Sequence, residues 1–397
     1  MEEGFLMATA RMGTGRGFDR EIRVMLGSAL VLFVWTVGIG ILNGTDVMDF
    51  ERKALLSHLH MGTLGWISIA VFAATYALFD GESTRMTRVA AWLAPVTAVL
   101  YNLAFLTTTS VVRPIVGTLM MLVIIAFAVH ALTRLRGRTL SVPHLAMLAG
   151  LTTVVIGAVL GVLLGLRLAG TMPGLPMSLA EAHPATMVVG FLVPAGMGYA
   201  EMVLRPSSVS DRASWVGWVQ IALPFVGGLM ALAGFLRGTF ELVQAGLPLE
   251  IIGTIIFLVR MMPTALRTSL VADGAERFAV PVLVFLPMNI AILVSIIVRF
   301  APDLSTTPVR QFEALDHSIF VGVLTFSIMG FVVQRSAARV SPLVSQFIFW
   351  GMLLGVSGFV TGLLIDSTPL IRVATPLLGT AILTSVVVRA PGLLRGQ

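Results

Sequence analysis

Twelve times along the chain the sequence runs for about twenty residues with almost no charge, the length an α-helix needs to cross the hydrocarbon core of a bilayer. The segments fall at about 24–43, 57–79, 86–108, 112–134, 143–169, 178–204, 214–236, 247–269, 277–300, 314–336, 341–364 and 368–389. The runs are continuous rather than alternating. Lipid leaves only helices and closed barrels able to satisfy every backbone polar group, and continuous runs select helices. An all-α integral membrane protein of twelve transmembrane helices is therefore predicted. Connections are short, which predicts one domain over residues 24–397 behind a polar, Gly/Arg-rich cytoplasmic tail over 1–23. Composition agrees: 57% of the residues are hydrophobic and 12% charged, with mean hydropathy +0.95, outside the range of soluble domains.

The chain holds 26 Lys and Arg and has a pI near 10.8. Their placement accounts for the excess. With the N-terminus inside, seventeen of the 26 fall at inner ends or loops and eight at outer ones, leaving Arg260 inside a helix. That asymmetry obeys the positive-inside rule and predicts cytoplasmic termini in a bacterial inner membrane. The lipid bilayer is thus the expected partner of the basic chain, and nucleic acid is not. Cysteine is absent, which excludes disulfides, thiolate metal sites, covalent heme attachment and iron–sulfur clusters. Any metal must rest on His, Met or oxygen.

Histidine is costly in lipid, and the chain has six. Two stand together in "ALLSHLHMGTLGW", residues 54–66, as His58 and His60. Aligning "HMGTLGWISIAVFAATYALFDG" from His60, "HPATMVVGFLVPAGMGYAEMVLRP" from His183 and "HSIFVGVLTFSIMGFVVQRSAAR" from His317 gives an imperfect threefold repeat. Each begins with His at the outer end of an apolar helix. Tyr76 and Tyr199 share one offset, where the third copy has Val333. The spacing corresponds to four helices per repeat, so the histidines start the second, sixth and tenth helices. Three pseudo-symmetric four-helix units are predicted. Even-numbered helices enter from the outer side, which puts the imidazoles at one depth, about 5–10 Å below the interface by the 1.5 Å rise per residue. Neutral imidazoles from separate helices at one level are what a heme iron or a metal ion takes; interfacial histidines bonded to carbonyls are the structural alternative.

"SHLHMGTLGWISIAVFAATYALF" resembles the heme-ligating second helix of heme-copper oxidase subunit I, especially the H-x-H-x-G-x-L-G-W stretch of C-type oxidases and nitric oxide reductases. "AHPATMVVGFLVPAGMGYAEMVLRP" is similar to that family's sixth helix, which carries a copper ligand. The resemblance implies a heme-copper oxidase subunit I-like fold, with His60 and His317 as axial ligands of a low-spin b-type heme. The sequence departs from the family in two places. Its seventh segment, "SWVGWVQIALPFVGGLMALAGFLRG", lacks the copper-site histidine pair, and Leu315 stands where the tenth helix normally has a second histidine. Oxygen reduction at a heme–copper pair is therefore not expected. Residues two apart on a helix project about 200° apart, so His58 and His60 border different pores. The expected arrangement pairs His60 with His317 and His58 with His183, the latter for a second heme or a copper ion.

Among other polar residues, Arg372 lies where the family binds heme propionates, with Arg113 and Arg52 as alternatives. Arg260 in "IIFLVRMMPTAL" needs a buried partner, Asn102 or a carboxylate for example, or else serves a propionate or a proton path. His130 and His144 read as structural, and Met61 and Met187 as weak alternative ligands. Gly157, Gly161 and Gly165, with Gly351 and Gly355, read as close helix contacts. Few polar residues reach from the inner side, which disfavours proton pumping. The expected function is electron transfer, or sensing or handling of a diatomic gas such as nitric oxide or oxygen, with a redox partner protein on the outer face. A proton- or metal-coupled transporter or channel on the same fold, or a cofactor-free scaffold subunit, are the alternatives.

Overall fold

The computed structural model describes residues 18–394. It contains twelve helices long and apolar enough to span a membrane: α1 (Asp19–Gly44), α2 (Arg52–Leu78), α3 (Arg85–Thr107), α4 (Val112–Thr133), α5 (Val142–Leu168), α6 (Leu179–Leu204), α7 (Trp215–Arg237), α8 (Phe240–Ala265), α9 (Glu276–Phe300), α10 (Val309–Arg335), α11 (Pro342–Leu364) and α12 (Thr368–Leu394). All twelve predicted segments are present. Of the expected tail, residues 1–17 lie outside the described residues, and the helix begins at Asp19 rather than at residue 24. Helices α2, α8 and α10 also start earlier than predicted, at Arg52, Phe240 and Val309. Hydropathy registers only the part of a helix that sits in hydrocarbon, and these helices continue with charged residues beyond it.

Odd-numbered helices start at the face that carries the start of α1, here the terminal face; even-numbered ones start at the distal face. Hydroxyl side chains close several odd helices: Ser214 accepts from the Gly217 amide at 3.2 Å and Ser341 from the Val344 amide at 3.4 Å. Thr84 accepts from the Thr87 amide at 3.2 Å, and the Thr87 hydroxyl oxygen accepts from the Thr84 amide at 2.9 Å. These bonds satisfy amides that a helix start leaves without partners.

Three helices occupy the centre. In α2, α6 and α10 between 72% and 89% of the most apolar stretch is buried, against 33–56% in the other nine. Those nine surround them, with α1 following α12 to close the ring. The central helices also bond to each other. The Trp66 indole of α2 donates to Thr325 Oγ1 of α10 at 3.0 Å, and the Tyr199 hydroxyl of α6 donates to the Ala70 carbonyl of α2.

Each central helix contains one wide, π-helical stretch, over Met61–Ser68, Thr186–Leu192 and Ser318–Thr325. Among the described residues no other helix has one. Such stretches shift the hydrogen bonding to i→i+5 and are often found at functional sites. Threonine hydroxyls bond to carbonyls within or beside these stretches: Thr325 to Phe320 at 2.8 Å, Thr153 to Gly190 at 2.7 Å, and Thr63 to Leu59 at 2.9 Å.

Glycine permits the closest approach in the outer ring. A Cβ on Gly355 of α11 would fall 2.6 Å from the Leu378 amide nitrogen of α12. Gly355→Val should lower stability by about 1–3 kcal/mol through overpacking, seen as a lower thermal midpoint in detergent. Gly38→Ala, whose Cβ meets nothing within 4 Å, should not lower it.

Candidate functional site: a bis-imidazole cavity

The six histidines divide by which ring nitrogen is occupied. A carbonyl oxygen can only accept, so the nitrogen facing it carries the proton. In His130 and His144 that nitrogen is Nε2, which donates to the carbonyls of Phe79 at 3.0 Å and Leu78 at 2.9 Å. Nδ1 of His144 also bonds Ser141 Oγ at 2.6 Å, so this ring ties the start of α5 to the end of α2. In the other four the bonded nitrogen is Nδ1. His58 donates to the Thr36 carbonyl at 2.8 Å, His60 to Leu56 at 2.7 Å, His183 to Gly157 at 2.8 Å and His317 to Glu313 at 2.7 Å. Each of these four keeps an unprotonated Nε2, the state of a metal-ligating imidazole fixed by a carbonyl behind it.

A cavity of about 540 Å³ lies between α1, α2, α10, α11 and α12 and is reached from the distal face. His58 of α2 and His317 of α10 both line it, with ring centres 6.5 Å apart and planes inclined by 30°. Two imidazoles that share one metal from opposite sides have centres about 6 Å apart, since each side contributes about 2.0 Å of metal–nitrogen bond and about 1.1 Å to the ring centre. Local sequence makes room for the rings. Gly40 of α1 faces His58, where a Cβ would come within 3.3 Å of Cε1. Ser57 accepts from the Trp35 indole at 2.9 Å and donates to Asn102 at 2.6 Å, which fixes the rotation of α2 beside His58. Arg52 and Arg310 stand at the cavity mouth with Asp46, Glu313 and Asp316. Arg310 is paired with Asp366 and donates to Thr368 Oγ1 at 3.1 Å.

This geometry changes the expected pairing. His58, not His60, stands across from His317. His60 lies on the other side of α2, stacked on Phe105 at 4.2 Å and edge-on to Tyr101 at 5.5 Å, and does not line the cavity. His183 is not brought to His58; its ring lies against Gly161 of α5. Arg372 does not line the cavity either. It holds Asp46, which does, at 2.7 Å, so Arg52 and Arg310 are the cations at the mouth. Arg113 caps α3 by donating to the Phe105 carbonyl at 2.8 Å. Met61 and Met187 pack against Gly65 and Gly157. Among the described residues no three His, Asp or Glu side chains converge as a metal cluster.

Of the partners expected for Arg260, the structure supplies a carboxylate, whose identity the sequence did not give. Glu201 of α6, fully buried, takes both guanidinium nitrogens at 2.8 Å, and Gln220 of α7 accepts a further bond. Asn102 is engaged elsewhere, with Ser57. Glu250 of α8 is also buried, and neither carboxyl oxygen has a hydrogen-bond partner among the described residues. An acidic residue within an apolar run was the available signal for both.

The chain matches no protein-family model and no curated protein.

Glu201→Gln leaves the partly buried Arg260 without its counter-charge and should cost up to about 3 kcal/mol, read as a fall in thermal midpoint. Glu250→Leu removes an unpartnered polar group and should leave that midpoint unchanged or raise it.

Proposed function

We propose that the protein is a membrane b-type heme protein that transfers electrons, with His58 and His317 as the axial ligands of a heme in the distal cavity. The observation that carries this reading is the opposed pair itself: two imidazoles 6.5 Å apart, each with Nδ1 engaged and Nε2 available. Two donors without a third suit a metal that arrives with its own equatorial ligands, and a porphyrin iron is such a metal. The volume of about 540 Å³ falls within the range of cofactor sites. Arg52 and Arg310 at the mouth would balance propionate charge.

When bound, a heme supplies one-electron chemistry. The protein supplies the rest. The carbonyls of Thr36 and Glu313 orient the rings and raise the basicity of Nε2. Phe33, Trp66, Phe320 and Phe359 line the cavity with apolar surface and lower its dielectric. With both His58 and His317 holding it, the group would be suited to electron transfer rather than to binding a gas. An arrangement of three central helices, each with a wide turn after its histidine, supports kinship with heme-copper oxidase subunit I and a threefold internal repeat. The arginine distribution supports a bacterial inner membrane with cytoplasmic termini, in which the cavity mouth and a redox partner would lie on the outer side. A transporter on this fold would take up a proton or a bare ion through the same imidazoles and carry no pigment.

His58→Ala and His317→Ala should each remove one equivalent of heme per chain, with its sharp reduced α band, whereas His60→Ala should leave this heme in place. Retention of full heme content in either of the first two variants would end the assignment.

A further inference from the structure

Helices α1 and α3 both start at the terminal face, pack against each other, and leave a groove of about 550 Å³ along their first turns. Its polarity is graded along the helix axes. At the face stand three exposed arginines, Arg20 in the first turn of α1 and Arg85 and Arg88 in the first turn of α3. Val24, Val89 and Trp92 line the groove one turn deeper, each four residues on from one of those arginines and so beneath it on the same helix face. The Trp92 ring is 54% exposed. Below it α3 continues the stripe with the exposed side chains of Val96, Leu100 and Leu103.

The positive charge is not balanced from within. Among the described residues no carboxylate lies within 4.0 Å of Arg20, Arg85 or Arg88. Arg88 is turned back towards the face by a bond from Nε to the Thr84 carbonyl at 3.4 Å, which leaves its two terminal nitrogens without a protein partner among the described residues. The acid on the groove wall, Glu21, is buried, and its carboxylate accepts from the Ser83 hydroxyl. Three guanidinium groups against one carboxylate leave two positive charges over. Elsewhere on this face Arg138 is paired with Asp80, Arg205 with Glu201 and Arg335 with Asp19. The positive-inside bias accounts for arginine at this face. It does not account for three that share one concavity with an apolar lower half.

An occupant must carry negative charge at the face and hydrocarbon beneath it, in that order. Free phosphate meets only the first requirement, and a zwitterionic lipid brings a cation of its own. Guanidinium forks match phosphate oxygens in pairs, tryptophan settles where headgroup meets acyl chain, and basic recesses between transmembrane helices hold anionic headgroups. We propose that the groove between α1 and α3 binds an anionic phospholipid of the leaflet at the terminal face, with its phosphodiester held by Arg20, Arg85 and Arg88 and an acyl chain laid over Val89, Trp92 and the stripe below. The site shares no residue with the distal cavity and stands whether or not that cavity holds heme.

The test follows the thermal midpoint of purified full-length protein, stripped of lipid in detergent, as phosphatidylglycerol, phosphatidylcholine or sodium phosphate is added. Phosphatidylglycerol should raise the midpoint saturably, and the other two should not. The combined variant Arg20→Gln, Arg85→Gln, Arg88→Gln should raise the half-saturating phosphatidylglycerol concentration at least about tenfold. A charge-matched control, Arg136→Gln, Arg212→Gln, Arg267→Gln, lies at exposed positions of the same face away from the groove and should move it less than about threefold. Equal weakening in both would mean diffuse attraction and overturn the proposal, as would an equal response to phosphate or to phosphatidylcholine. Native mass spectrometry of the wild type before stripping needs no variant to fold: an anionic phospholipid should stay bound to the chain, and a chain that emerges without one would end the assignment.

Discussion

A neutral imidazole has one proton, and the carbonyl it faces decides which nitrogen keeps its lone pair. Four of the six histidines here are fixed by main-chain carbonyls at Nδ1. Everything that gives the distal half of the bundle its chemical character depends on that choice. Had the carbonyls faced Nε2, as they do for His130 and His144, the rings would be helix ties and no more. The carbonyls are available because an adjoining helix comes close beside glycine, or because a histidine can reach the carbonyl four residues back in its own helix.

The fold was legible because a bilayer imposes a length and a polarity on every crossing, and residues such as those of α3, α4 and α11 meet both requirements within a residue or two. Helix ends were less legible where Arg52, Lys53 and Arg310 continue a helix past the hydrocarbon. That histidine is unusual in an apolar run was also readable, and it marks His58, His60, His183 and His317. Their pairing was not: residues two apart fix only that His58 and His60 face opposite ways, and packing decides which side of α2 carries the cavity, so that His58 rather than His60 stands across from His317. The wide turns, and the reach of Thr36 and Gly157 carbonyls, depend on tertiary contacts that no local pattern encodes.

The charged interior is organised separately. Glu201 and Arg260 join α6 to α8 near the terminal ends of both helices, well away from the distal cavity. Such a pair is held less by its own attraction than by the cost of leaving either member alone in a low-dielectric interior. Gln220 adds a neutral acceptor from α7, so one guanidinium bridges three helices.

The position of the wide turns has a developmental consequence for the sequence. Each follows its histidine; Ala70 and Tyr199 lie beyond their wide turns, and Thr325 is the last residue of its own. A π-helical stretch carries surplus backbone relative to an α-helix, so a one-codon loss between Met61 and Ser68 can be absorbed by closing the turn into ordinary pitch. Both flanking halves would then keep their facing, whereas the same loss from an ordinary α-helical stretch would swing one half by about 100° relative to the other. Small changes in chain length at these three places are thus the ones that a bundle of this kind can take up without turning the faces of its three central helices.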